Sequence, residues 1–225
     1  MERTFIRRNT AMEEGQLSCT DCGTRACQTA EEKNYPNFCL TRKLDPALLQ
    51  ESLDVYVNDA EQQKIARISA ELEGEFYCRM TRVEETIEFI LRMGCPSVGI
   101  ASCVGLLNEA RIFARLLHKR GIDAVTVGCK IGAVDKSALG IPDRLKVNGG
   151  CGHESMCNPV LQAKFLNSLK TDLNVMIGLC VGHDSLFIRN SEAPVTVMVV
   201  KDRVLGHNPA AALYMANTSY SRFKS

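Results

Sequence analysis

The sequence predicts an α/β fold, with a mostly parallel sheet covered by helices on both faces, preceded by a Cys-rich metal-binding segment and a helical arm. Three observations carry this. Helical and strand-like apolar patterns alternate from Thr81 onward, three of the strands run directly into a cysteine, and four more cysteines crowd a polar stretch between Ser18 and Cys39. The expected organisation is a Cys-rich segment over 1–45, a helical connector over 46–80 and an α/β domain over 81–225 that carries a strand-end cysteine site.

In the first segment, "SCTDCGTRACQTAEEKNYPNFC" has almost no apolar residues, and Cys19, Cys22, Cys27 and Cys39 are spaced C-x2-C-x4-C-x11-C. A C-x2-C pair lets two thiolates chelate one ion through a tight turn, and without metal so polar a stretch has little to hold it folded. The spacing suits zinc or an iron-sulfur cluster equally. The connector follows from about Pro46 to Glu75. Pro46 fits a first helical turn, Leu48, Leu49, Leu53, Ile65, Ile68 and Leu72 recur at roughly helical spacing, and a break is expected near Asn58.

The α/β pattern opens with "TRVEETIEFILRMG", where Val83, Ile87, Ile90 and Leu91 share a helical face that stops at Gly94, with Pro96 beyond. The strand "SVGIAS" leads to Cys103. A helix with Leu106, Ala110, Phe113 and Leu117 on one stripe ends at Gly121, and the strand "IDAVTVG" leads to Cys129. After a Gly- and Lys-rich connection, "NPVLQAKFLNSLK" reads as a helix and "LNVMIGL" as a strand leading to Cys180; "APVTVMVV" is a fourth strand, running into Lys201 and Asp202. Strands alternating with helices indicate βαβ units, and short apolar strands indicate burial on both faces.

Parallel strands joined by right-handed crossovers present their carboxyl ends at one edge, where open α/β folds bind ligands. Cys103, Cys129 and Cys180 are therefore expected to converge, and Cys157, at the start of the helix feeding the third strand, reaches the same edge if its loop folds back. Four thiolates form a soft site for an iron-sulfur cluster, expected as 4Fe-4S, or for zinc. His183 and Asp184, just beyond Cys180 in "VMIGLCVGHDSLF", are candidate catalytic proton carriers, and Lys130 and Lys201 place positive charge beside the thiolates. Cys78 and Cys95 read as packing thiols. No role is assigned to Cys151, His153, Asp202 or His207: Cys151 and His153 in "NGGCGHESMC" could supply ligands or sit in a flexible loop, and Asp202, Arg203 and His207 in "KDRVLGHNP" could line the cysteine edge or form a turn with capped polar groups.

Taken together, "CTDCGTRAC", "IASCVGLLNEA", "GCKIGAVDKSALGI", "CNPVLQAKFLN", "GLCVGHDSLF" and "KDRVLGHNP" cover nearly the whole chain. They resemble an uncharacterised prokaryotic family described as metal-binding, domain of unknown function 1847. The resemblance implies a cysteine-rich metal-binding protein and carries no established reaction. Over a few residues, "ASCVG" is also similar to the short cysteine motif of iron-sulfur desulfidases, in which an iron not held by protein takes sulfur from a thiolated substrate.

Composition narrows the partners. The 225 residues are 45% hydrophobic and 24% charged, an ordinary globular balance. With 27 Lys and Arg against 26 Asp and Glu and no Trp, the chain has neither the basic field nor the stacking surface for nucleic acid. The start lacks the apolar core of a secretory signal and no apolar run reaches the ~20 residues that span a bilayer, so a cytoplasmic protein without membrane contact is expected. Eleven cysteines in a reducing compartment then point to metal or redox chemistry, not to disulfides. Expected partners are a small-molecule substrate or a redox partner protein. An iron-sulfur enzyme, a noncatalytic electron-transfer or metal-binding module, and a structural-zinc protein with reactive thiols all remain open.

Overall fold

The structure, a computed structural model, describes residues 17–150 and 152–220. The chain forms two compact units, Met1–Ala66 and Arg67–Ser225, dividing inside a helix. The first unit begins with three 3-10 turns, Cys19–Asp21, Ala26–Gln28 and Glu32–Asn34, followed by α1 (Leu40–Lys43), α2 (Pro46–Asn58) and the start of α3 (Ala60–Phe76). Asp45 caps α2 by accepting the Ala47 N–H at 2.9 Å, with Pro46 in the first turn. Asp59 breaks the helical run, its carboxylate accepting the N–H groups of Glu61 and Gln62 at 3.1 and 3.0 Å. Leu48, Leu49 and Leu53 remain exposed, and Ala26 is the one buried residue among the described residues of this unit, which leaves it without a core of its own.

The second unit starts with the rest of α3, where Ile68 and Leu72 are buried. Arg92 on α4 (Arg82–Met93) ties the end of α3 to α4, donating to both carboxylate oxygens of Glu75 at 3.1 and 2.7 Å and to Glu88 at 2.8 Å. Thr81 and Glu84 form a capping box at the start of α4, and Gly94 ends it in a left-handed conformation. β1 (Ser97–Ser102), α5 (Leu107–His118), β2 (Asp123–Gly128), α6 (Pro159–Ser168), β3 (Leu173–Ile177), α7 (His183–Asn190), β4 (Val195–Val199) and α8 (Ala210–Tyr214) follow.

All four strands are parallel, in the order β2-β1-β3-β4. The connection β1-α5-β2 moves toward one edge, while β2-α6-β3 and β3-α7-β4 move toward the other. With crossovers of one hand, α5 must cover one face and α6 and α7 the opposite one. The packing agrees: α5 lies on β1 and β2, whereas α6 packs on β1, β2 and α7. One layer of the core joins Ala101, Val127 and Met176 of the sheet to Ala163 and Leu166 of α6 and Phe187 of α7, and it includes Cys103 and Cys129. β3 is buried along its full length, as expected for a central strand of a parallel sheet.

Two departures from the sequence reading matter for the site. The residues after Cys180 form α7, which begins at His183 after Gly182. In the Gly- and Lys-rich connection, the described residues 130–150 and 152–156 are held by ion pairs rather than forming a loose loop. Among the described residues no helix is long and apolar enough to cross a membrane.

Candidate functional site

In this strand order β1 and β3 leave the sheet centre in opposite directions, so their carboxyl ends flank the topological switch point where open α/β sheets form ligand crevices. Cys103 follows β1 and its N–H donates to the Ile177 carbonyl at 3.2 Å, fixing it against β3. Cys129 follows β2 and donates to the Ser102 carbonyl at 2.8 Å. The excursion after Cys129 returns to the same place. The Asn158 N–H donates to the Cys129 carbonyl at 2.8 Å while the Asn158 side chain caps α6, and the Sγ atoms of Cys157 and Cys129 come within 3.7 Å.

Cys180 lies three residues beyond β3, after Gly178. Gly178 has φ +66°, and a Cβ there would stand 1.9 Å from Leu106 Cδ1, so this approach of β3's end to the first turn after Cys103 is open only to glycine.

Gln162 of α6, fully buried, was missed by the sequence reading. Its Nε2 donates to the carbonyls of Ser102 at 3.2 Å and Val127 at 2.7 Å, the ends of the two strands that carry Cys103 and Cys129. Its Oε1 has no hydrogen-bond partner among the described residues. The available signal was a polar residue on the helix stripe that also holds Pro159, Ala163 and Leu166.

The electrostatics favour anionic sulfur at Cys157. Hydrogen bonding to Cys157 and then burial hold the Cys129 thiol far above its ordinary value. Cys157 is pushed down, first by that hydrogen bond and then by the positive charge of Lys130. The Val104 N–H also points at Cys129 Sγ, at 3.5 Å. Arg203 donates to Cys180 Sγ at 2.9 Å, which raises the guanidinium's own affinity for its proton. Lys201 Nζ and Cys103 Sγ both lie near Gly105: a Cβ there would stand 3.4 Å from the first and 3.9 Å from the second. Lys130, Lys201 and Arg203 thus supply three cations around four thiols.

The donors are soft, and the Cys129–Cys157 separation matches one edge of a thiolate tetrahedron around a metal at ~2.3 Å, which is ~3.8 Å. Among the described residues, however, no three His, Cys, Asp or Glu side chains are close enough together to hold one ion.

An open cavity of about 880 Å³ adjoins the thiols, with Cys157, Cys180, His183, Lys130 and Arg203 on its walls. His183 therefore comes to the site. The Asp184 carboxylate instead accepts the Ser185 N–H at 2.8 Å and does not line the cavity. His153 also borders the cavity, its Nε2 2.9 Å from Ser155 Oγ. Cys151 lies outside the described residues. Asp202 and His207 close a turn on themselves: the Asp202 N–H donates to His207 Nδ1 at 3.1 Å, and the Asp202 carboxylate accepts the N–H groups of Val204 and Leu205, both at 2.9 Å. That turn is what aims Arg203 at Cys180. Cys95 is buried and Cys78 exposed.

In the first unit, Cys22 is held below its ordinary value chiefly by the Arg25 N–H, and Cys39 chiefly by the Arg42 N–H. Cys39 also feels the charge of Cys22, and Tyr35 that of Cys27 and Cys39, so these thiols share one neighbourhood. Cys19 and Cys27 are exposed.

Comparison with known proteins supplies kinship. The chain is 41% identical over 198 residues to the uncharacterized protein MJ0455 of Methanocaldococcus jannaschii, an alignment that covers 88% of this chain and 94% of the relative. No solved structure matches it. The model of one family matches residues 39–198, a span that includes Cys39 and all four strand-end cysteines and begins after Cys27. By that match and by the archaeal relative, the chain belongs to the family described as protein of unknown function (DUF1847).

Proposed function

We propose that Cys103, Cys129, Cys157 and Cys180 hold an iron-sulfur cluster of the 4Fe-4S type, and that the site carries out sulfur-transfer or redox chemistry on a small molecule. The observation that carries this reading is the arrival of four thiols, from the three connections that follow β1, β2 and β3, at the carboxyl edge of a parallel sheet, with cations beside them. When bound, such a cluster would supply a one-electron centre, or a Lewis-acidic iron where one iron is left without a thiolate. The chain's own residues do the rest. Lys130, Lys201 and Arg203 offset the negative charge of four thiolates, the Val104 N–H stabilises Cys129 sulfur, and burial of Cys103 and Cys129 limits water. Of the two proton carriers expected from sequence, the His183 imidazole borders the cavity and is placed to give or take a proton there, with Asp184 beside it in the same helical turn. At the N-terminal segment, Cys19, Cys22, Cys27 and Cys39 form a second metal site, zinc or iron-sulfur.

The test is to purify the protein anaerobically, establish iron and acid-labile sulfide, and follow its absorption spectrum on adding sulfide or small thiolated compounds. A spectral change that saturates supports an accessible iron and substrate chemistry. A cluster that cycles reversibly with a reductant yet ignores every such compound would instead make the protein an electron carrier. Absence of iron and sulfide refutes the reading.

A further inference from the structure

The outer wall of the cavity is the excursion between Cys129 and Cys157. Its two ends are fixed together by the Cys157–Cys129 contact and the Asn158–Cys129 hydrogen bond. Between them, Asp135 accepts the N–H groups of Ser137 at 2.8 Å and Glu154 at 2.7 Å and pairs with Lys146 Nζ at 3.2 Å. Glu154 accepts the Asn148 N–H at 2.9 Å and pairs with Lys136, and Lys146 reaches Asp143 at 2.9 Å. These staples hold the backbone, but they do not bury its apolar side chains: Leu139, Leu145 and Val147 line the cavity and are 62, 61 and 90% exposed.

A rigidly held wall that keeps large aliphatic groups in water at the mouth of a cavity is a binding feature, because burying them would be favourable and the fold does not do so. The inner wall is opposite in character. Lys130 and Arg203 have a carbonyl and a sulfur as partners, Ser155 O and Cys180 Sγ, and His183 stands with them. The cavity's carboxylate, Glu154, is already engaged by Lys136 and Asn148. A volume of about 880 Å³ is of small-molecule size, too small for a folded partner.

We propose that this cavity binds a small molecule with one anionic group and an apolar body. The anionic end lies at Lys130, Arg203 and His183 beside Cys157 and Cys180, and the apolar body lies along Leu139, Leu145 and Val147. This rests on the functional reading only in taking the bound molecule to be the substrate of the thiol site; the binding itself is read from the walls.

Octanoate, butyrate and 1-octanol are suitable probes, titrated calorimetrically into the full chain purified anaerobically, whose iron and sulfide are measured on the same sample. Each methylene buried contributes a factor of about four, so burying about half of octanoate's extra chain gives at least about tenfold tighter binding than butyrate. Octanol, lacking the charge, is also expected to bind about tenfold more weakly than octanoate. Leu145→Glu, and separately Val147→Asp, both at exposed positions, should weaken octanoate at least about tenfold while leaving iron and sulfide unchanged. Equal binding of octanoate and octanol, no effect of either substitution, or no octanoate heat at all would overturn the inference. Octanoate binding without iron and sulfide would leave this inference standing and sink the functional reading; iron and sulfide without octanoate binding would do the reverse.

Discussion

Replacing Gln162 by Leu separates the two things this residue does. In the wild type its Nε2 ties the carbonyls of Ser102 and Val127, while its buried Oε1 is left unsatisfied. The substitution removes two hydrogen bonds, each contributing about 1 kcal/mol net, and it also removes an orphaned oxygen whose burial costs about 1–3 kcal/mol. Leu fills nearly the same volume, and the Ser102 carbonyl keeps its bond from the Cys129 N–H at 2.8 Å. The terms nearly cancel, so the urea midpoint should move by the equivalent of no more than about 2 kcal/mol. Loss of the tie should, however, loosen the spacing between the strand ends that carry Cys103 and Cys129. Iron and sulfide per chain should fall markedly in Gln162→Leu at nearly unchanged stability. A variant that loses more than about 3 kcal/mol, or that keeps its full iron and sulfide, would refute the argument that Gln162 positions the thiols rather than simply filling the core.

Two further perturbations probe the scaffold. Gly178→Ala places a Cβ 1.9 Å from Leu106 Cδ1 at φ +66° and should cost about 2–4 kcal/mol, measured by denaturant unfolding; a loss under about 1 kcal/mol would show that the switch-point approach is not tight. The Asp135 carboxyl is held well below its ordinary value, first by the N–H groups of Ser137 and Glu154, so its stabilising contribution is full above the unfolded value near 4 and is lost as pH falls through the depressed folded value. The fall in urea midpoint between about pH 5 and pH 2 should therefore be shallower in Asp135→Asn than in wild type, and identical pH profiles would contradict the role given to this carboxylate.

Much of the architecture was legible because its signals are local. Thr81, Glu84 and Gly94 mark both ends of α4, Asp45 and Pro46 start α2, and each strand is a short, mostly apolar stretch. The gathering of Cys103, Cys129 and Cys180 was legible for a geometric reason, since parallel strands put their carboxyl ends on one edge whatever their order. Cys157 could be placed only conditionally, because its position depends on the return of the 130–156 excursion. That excursion is ordered by pairs such as Asp135–Lys146 and Lys136–Glu154, which leave no periodic trace in the sequence. Helix α7 escaped because it is short and Phe187 is its one buried residue. Arg203 was one polar residue among several in "KDRVLGHNP", and only the turn closed by Asp202 and His207 selects it as the partner of Cys180.

The most direct test of the central claim is iron, zinc and acid-labile sulfide per chain in anaerobically purified wild type, Cys180→Ala and Cys19→Ala. The account predicts iron with sulfide in the wild type, much of it lost in Cys180→Ala, and a strand-end cluster retained in Cys19→Ala. Zinc without sulfide, unchanged by Cys180→Ala and lost in Cys19→Ala, would confine the metal to the N-terminal segment and contradict a cluster at the sheet edge.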